Sequence, residues 1–319
     1  MLLDSFVGFN PVHEGAYMVA MLHVVHHAHY VAPAPPGSSF PHDKYGLVMD
    51  ALRRSRCDMV VHQPDMMPRL WLEAVHDPAY VADVLGCSVR PEIQKRIGFP
   101  ITQPVSRRSQ LSPGGTWLAA KLALRHGYAA NSAGGSHHAL AETGAGYCVF
   151  NDLVVAANRL LAEGDASRIL ILDLDVHQGD GTAALTAGRP EIFTFSIHAE
   201  KNFPERKARS DLDIGLADGT GDDAYLAALT TALPSVLTEF QPDLIFLQAG
   251  VDVHLDDRLG RLALSDAGLT ARERYVAELA RERGLPIAST LGGGYGHDRL
   301  GVAERHARSM ITLARYRCG

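Results

Sequence analysis

The chain has 319 residues, 46% of them hydrophobic and 21% charged, with a formal net charge of −6. Those values describe a globular protein, and the acidic balance argues against a general nucleic-acid binder, which presents a basic face. Four cysteines (Cys57, Cys87, Cys148, Cys318) without a CxxC spacing argue against a disulfide framework and a thiolate zinc site, and suit a reducing, cytoplasmic setting.

No apolar run approaches the roughly 20 residues of a membrane helix, and His13 and Glu14 interrupt any secretory-signal core. Residues 1–20 read as an N-terminal extension and 21–319 as one catalytic domain. His23, His26, His27 and His29 alternate as in a strand with exposed histidines, which is a better reading than a second metal site. The segment Pro33-Ala34-Pro35-Pro36-Gly37 is a short rigid loop, too short to separate domains. Beyond about residue 110, helical and strand-like segments alternate. In order they are helix Thr116–His126, strand Tyr128–Ser132, helix Asp152–Glu163, strands Ile169–Asp173 and Ile192–Ile197, helix Asp223–Phe240 and strand Leu244–Ala249. Helix Ala271–Arg283, strand Ile287–Leu291 and helix Leu300–Ala314 follow. Thr270 and Glu273 fit a capping box, and Gly284 with Pro286 ends that helix. The alternation predicts an α/β fold, a single open parallel sheet sandwiched by helices.

The densest chemistry is the run Asp173-Leu174-Asp175-Val176-His177-Gln178-Gly179-Asp180-Gly181, directly after a buried apolar strand. If that strand continues, Asp173, Asp175 and His177 point to one face. Unpaired, they would cost several kcal/mol there, so a metal is the natural partner. His137 and His138 follow one strand through Gly134-Gly135-Ser136, Asp252 follows another, and Tyr295 follows a third through Gly292-Gly293-Gly294. All four clusters sit past the carboxyl ends of strands, where ligand crevices form in open α/β sheets.

Asp175, His177 and Asp252 supply three ligands and leave a fourth position free, the arrangement of a catalytic zinc site. Asp252 alone could equally be a turn cap. His137 and His138 are candidate proton carriers, with Asp173 and Asp180 as spare acids to orient them. The Tyr295 hydroxyl could hydrogen-bond a developing oxyanion. There is no GxxxxGK loop and no GxGxxG opening a helix, so a nucleotide site has little support. Cys148 reads as core packing rather than as a nucleophile.

Gly134-Gly135-Ser136-His137-His138-Ala139, Gly146-Tyr147-Cys148-Val149-Phe150-Asn151-Asp152, the DLDVHQGDG run, Ala249-Gly250-Val251-Asp252 and the GGGY turn occur in the order seen in histone deacetylases. The chain resembles that family over about residues 25–300 and is most similar to the class IV branch and its bacterial relatives. Gln178 in place of a second histidine, Phe40-Pro41-His42-Asp43-Lys44-Tyr45 and Asp257-Arg258-Leu259-Gly260-Arg261-Leu262 add to the likeness. The resemblance implies an arginase–deacetylase fold with Zn2+ on Asp175, His177 and Asp252. It further implies His138 with Asp180 as general base and acid, His137 with Asp173 as electrostatic support, and Tyr295 as carbonyl polariser. Gly146, Tyr147 and Phe203 match the acyl-lysine channel, and K+ is implied near Asp173, Asp175, His177 and Ser196. Val251 stands where many relatives carry Phe.

The expectation is a zinc-dependent lysine deacetylase or deacylase using metal-activated water. Its substrate is an acylated lysine of a protein or peptide, with no direct nucleic-acid or membrane partner. The alternatives are a deacetylase of small acylated amines such as acetylpolyamines, or a non-catalytic acyl-lysine binding protein. Arginase-like manganese chemistry would want more bridging carboxylates than these segments supply.

Overall fold

The computed structural model describes residues 21–34, 38 and 40–318; the extension expected over residues 1–20, and part of the Pro33–Gly37 loop, lie outside them. Eight parallel strands form one sheet: β1 Leu22–Val25, β2 Met59–His62, β3 Tyr128–Asn131, β4 Ile169–Asp173, β5 Ile192–Ala199, β6 Leu212–Leu216, β7 Leu244–Gln248 and β8 Ile287–Thr290. Their spatial order is β2-β1-β3-β8-β7-β4-β5-β6. The helices are α1 Lys44–Ser55, α2 Arg69–Glu73, α3 Pro78–Gly86, α4 Pro91–Ile97, α5 Gln103–His126, α6 Asp152–Glu163, α7 Asp180–Thr186, α8 Asp222–Phe240, α9 Asp266–Glu282 and α10 Arg299–Cys318.

The central strands read as continuous apolar runs because both of their faces are covered. In β4, Leu170 and Leu172 pack into one hydrophobic cluster, while Ile169 and Ile171 pack into the other. β7 divides the same way, with Ile245 and Leu247 opposite Leu244 and Phe246. The sheet is therefore the middle layer of a three-layer sandwich, as the alternation of elements predicts. The four cysteines are free, and among the described residues no helix is long and apolar enough to cross a membrane.

Several boundaries differ from the sequence reading. Helix α5 begins at Gln103, not Thr116, and runs through Pro113, Gly114 and Gly115. A Cβ on Gly114 would lie 2.0 Å from the Asp65 carbonyl oxygen, and one on Gly115 would lie 2.0 Å from the Tyr30 hydroxyl. Close tertiary packing thus outweighs the weak helix propensity of that stretch. Helix α9 starts a turn before the expected capping box. Its N-cap is Ser265, whose hydroxyl accepts from Gly268 N at 3.1 Å. Glu273 is buried, bonded to Arg272 at 2.6 Å and Ser309 at 2.9 Å, so it cannot cap. Of His23, His26, His27 and His29, only His23 lies in a strand. His26 is half-buried with Nδ1 2.7 Å from Ser132 Oγ, and Ala28–Tyr30 forms a 3-10 turn.

Candidate active site and metal centre

The candidate residues follow β3, β4, β7 and β8, which are neighbours in the sheet in the order β3-β8-β7-β4. Four loops separated in sequence therefore open side by side at one rim, the crevice position of an open α/β sheet. Strand β4 ends at Asp173, so Asp175 and His177 are not on an extended strand face as anticipated. The backbone turns instead: Asp175 N donates to Asp173 Oδ1 at 3.1 Å and His177 N donates to Asp175 Oδ1 at 3.0 Å. Short polar side chains bonding the backbone two residues on favour turns over strands. The turn still brings Asp175 and His177 to the same point.

Asp252 arrives from the loop after β7. Its Oδ1 accepts from Val176 N at 3.0 Å. Its Oδ2 lies 3.2 Å from His177 Nδ1, yet is buried without a partner at hydrogen-bonding geometry. Asp175 Oδ1 is also 3.2 Å from His177 Nδ1, and Asp175 Oδ2 accepts from Gly293 N at 2.7 Å. One donor atom from each of Asp175, His177 and Asp252 lies within 4.8 Å of the others; among the described residues this is the only such group of histidine, cysteine or acidic side chains. His23, His26, His27 and His29 do not form one. A turn-cap role leaves Asp252 Oδ2 unexplained, whereas a cation gives that oxygen its missing partner.

Glycine is required where the loops meet. A Cβ on Gly293 would lie 1.8 Å from Asp252 Oδ2, and one on Gly250 would lie 2.5 Å from Asp175 Oδ2. The electrostatics match a cradle for positive charge. Burial lowers the His177 imidazole, but Asp175 and Asp252 outweigh it and raise the group to about 10. Asp252 itself is pushed up to about 7 by burial and by the Asp175 charge. Two buried carboxylates around one imidazole, with an oxygen left over, fit a divalent cation with nitrogen and oxygen ligands.

The two neighbouring histidines have separate carboxylate partners. His137 Nδ1 is 2.7 Å from Asp173 Oδ2, and His138 Nδ1 is 2.7 Å from Asp180 Oδ1. Their loop is held from below by Asp152, which accepts from Gly135 N at 3.1 Å and Ser136 N at 2.7 Å. Burial opposes charge on both rings. For His137 the Asp173 and Asp175 carboxylates prevail and raise it to about 9. For His138 burial and the charge of His137 prevail and lower it to about 3. Adjacent imidazoles thus acquire opposite protonation preferences, a mark of acid–base sites.

A cavity of about 450 Å³ opens onto these groups, lined among others by Tyr147, Phe203 and Tyr295. Gly146 is pressed against the channel wall, where a Cβ would lie 2.6 Å from His138 Cδ2 and 3.1 Å from Phe203 Cε1. The Phe203 ring meets His138 edge-on at 4.8 Å, and the Tyr147 ring lies 5.5 Å from that of Tyr295. Burial and the Asp175 and Asp252 charges hold the Tyr295 phenol well above its usual range. Cys148 also lines the cavity, but burial raises its thiol, as suits packing rather than nucleophilic attack. Ser196 is the cross-strand partner of Asp173, and its hydroxyl bonds His198 at 2.9 Å.

Three supporting residues escaped the sequence reading. Asp257 accepts from Tyr295 N at 2.6 Å and from Leu259 N and Gly260 N, so it ties the tyrosine to the opposite loop. The buried Lys44 donates to Gly292 O at 2.8 Å; burial lowers it to about 8 despite Asp252, Asp175 and Asp257 nearby. Gln178 bonds Ala208 O and Asp213, anchoring the loop that bears Phe203. Asp257, Lys44 and Gln178 all lie in quoted motifs, but the partners that tie them to the site, Tyr295, Gly292 and Ala208, are 30 or more residues away, so spacing alone carries no signal.

Comparison with known proteins matches residues 38–311 to the histone deacetylase domain. An uncharacterized protein of Picosynechococcus sp. is 46% identical over 286 residues, 89% of this chain and 95% of that one. Histone deacetylase 2 of Arabidopsis thaliana is 32% identical over 254 residues, 78% of this chain but only 63% of the plant protein. The crystal structure of the HDA15 HD domain superposes with a TM-score of 0.78 over 93% of this chain and 89% of that one, at 20% identity, which speaks to the fold.

Proposed function

The chain belongs to the histone deacetylase family, and we propose that it is a zinc-dependent amidohydrolase removing acetyl or longer acyl groups from Nε-acyl-lysine. The observation that carries this reading is the orphaned Asp252 Oδ2 beside His177 and Asp175, with two imidazole–carboxylate pairs in the adjoining loops. Asp175, His177 and Asp252 would hold the ion. When bound, Zn2+ supplies Lewis acidity toward the amide carbonyl and toward water.

The remaining steps belong to the chain's own groups. His138 has Nδ1 committed to Asp180 and is held neutral, so its Nε2 takes the proton of the attacking water. The same ring then returns that proton to the departing lysine amine as the C–N bond breaks. His137, bonded to Asp173, gives electrostatic support. Tyr295 keeps its proton and donates to the carbonyl oxygen as negative charge develops there. Gly146, Tyr147 and Phe203 wall the apolar lysine stem and exclude water from it. A structural K+ near Asp173, Asp175, His177 and Ser196 belongs to the same proposal, and it rests on the resemblance alone.

Hydrolysis of Nε-acyl-lysine peptides, from acetyl to long-chain, alongside acetylpolyamines tests the reading. Turnover of the peptides is expected. Turnover of polyamines alone would move the function to small acylated amines, and binding of peptides without turnover by zinc-loaded protein would make the chain an acyl-lysine binder.

A further inference from the structure

The mouth of the cavity carries a charge opposite to that of the molecule. The chain has 30 Lys and Arg against 36 Asp and Glu. Among the residues lining the 450 Å³ cavity, however, Lys44, Arg96, Lys201 and Arg261 face one carboxylate, Asp175. Asp175 belongs to the candidate metal centre, where a divalent ion would offset its charge and leave no lining carboxylate to balance the cations.

Three of the cations come from different parts of the chain. Arg96 is exposed at the end of α4, and its carbonyl accepts from Gly146 N at 3.0 Å, which fixes it to the channel wall. Lys201 is exposed two residues before Phe203. Neither has an ion-pair partner among the described residues. Arg261 pairs with Asp218 at 3.0 Å but stays about half exposed, its side chain at 53%. Their backbones are held firmly. Asn202 accepts from Arg261 N at 2.9 Å and donates to Leu259 O at 2.6 Å, joining the loop of Lys201 and Phe203 to that of Arg261. Phe203 and Leu259 are exposed apolar residues among these charges.

We propose that this mouth selects acylated lysines set in acidic peptide segments and repels polycationic substrates such as acylated polyamines. The inference rests on the deacylase reading above and names its substrate class. A carboxylate on either side of the acyl-lysine meets Arg96 or Lys201 as the stem enters the channel, while the lysine nitrogen itself is uncharged as an amide. An exposed ion pair contributes up to about fivefold in affinity. Two such contacts therefore give an order-of-magnitude preference, carried by KM and weakened by salt.

The test uses three acetyl-lysine peptides identical except for flanking Asp, Gln or Arg residues, assayed at low and at high salt. The proteins are the metal-loaded wild type and the double variant Arg96→Glu/Lys201→Glu. Expected is a kcat/KM order of acidic, neutral, basic, spanning about tenfold or more at low salt, compressed by salt and reversed in the double variant. Equal turnover of the three peptides, or a ranking unchanged in the variant, would overturn the selection while leaving the deacylase reading intact. If no peptide turns over, fluorescence anisotropy of the same labelled peptides still decides. Salt-sensitive binding of the acidic peptide that the double variant loses supports the selection, and absence of any preference overturns it.

Discussion

Gly293→Ala offers the sharpest test of how closely the candidate metal centre is built. Gly293 does not occupy the left-handed region, so alanine meets no backbone penalty there. The cost is steric: the new methyl would sit 1.8 Å from Asp252 Oδ2, 2.5 Å from Asp252 Cγ and 2.9 Å from Asp175 Oδ2. Both carboxylates are buried and tied to backbone N–H groups, Asp252 to Val176 and Asp175 to Gly293 itself. Relief therefore requires the glycine loop or a carboxylate to move by more than an ångström. Overpacking of this kind costs about 1–3 kcal/mol of stability. Displacing a ligand or its support should weaken metal binding about 10- to 100-fold. Zn2+ affinity measured by competition with a chromophoric chelator, with thermal unfolding of the metal-free protein in parallel, reads both effects. Gly86→Ala, whose added methyl would meet only Ser88 Oγ at 3.4 Å, is the control and should bind the ion normally. Wild-type ion affinity in a folded Gly293→Ala protein would refute the packing argument.

Tyr295→Phe should keep the ion and the fold but lose about 100- to 1,000-fold in kcat; undiminished turnover would remove the phenol from the mechanism. Arg272→Ala leaves the buried Glu273 carboxylate without its counter-charge, with Ser309 as its remaining donor, and Leu174 O without its side-chain donor; it should lower unfolding free energy by about 3–5 kcal/mol, measured by denaturant titration. His76 donates through Nδ1 to Leu140 O and accepts at Nε2 from Asn151 N, so its ring is locked neutral, and burial lowers it to about 4. The unfolded chain takes up that proton near pH 6.5 and the folded one only near 4. Stability thus falls as pH drops through this window, by about 3 kcal/mol. His76→Gln should flatten that part of the stability–pH curve, and an unchanged slope would contradict the assignment.

What the sequence made legible, and what it hid, follows from where the stabilising interactions lie. Strands β4 and β7 are apolar on both faces, β3, β5 and β8 are fully or almost fully buried, and α6 has a local stop in Gly164. Strands β2 and β6 sit at the sheet edges, short and partly exposed; β2 shows no alternation, and the alternation of β6 spans only Leu212–Leu216. Helix α5 hides its first half behind Ser112-Pro113-Gly114-Gly115, whose helical state depends on contacts with Asp65 and Tyr30. The candidate site residues were readable because unusual types crowd into short motifs, although the DxDxH segment closes as a turn rather than as a strand. The status of Asp252, ambiguous as a lone acid, follows only from an oxygen without a partner. The cations at the mouth are spread from Arg96 to Arg261 and meet only in the folded chain.

In the function proposed for this chain, the cluster of Asp175, His177 and Asp252 holds the ion on which amide hydrolysis depends. Zn2+ titrated into chelator-stripped protein, with hydrolysis of an acetyl-lysine peptide and bound metal followed together, tests it most directly. Expected are negligible turnover before addition, a rise that breaks at a single ion per chain, and neither occupancy nor activity in folded Asp252→Ala. Full turnover by the stripped protein, or normal ion occupancy in Asp252→Ala, would contradict it.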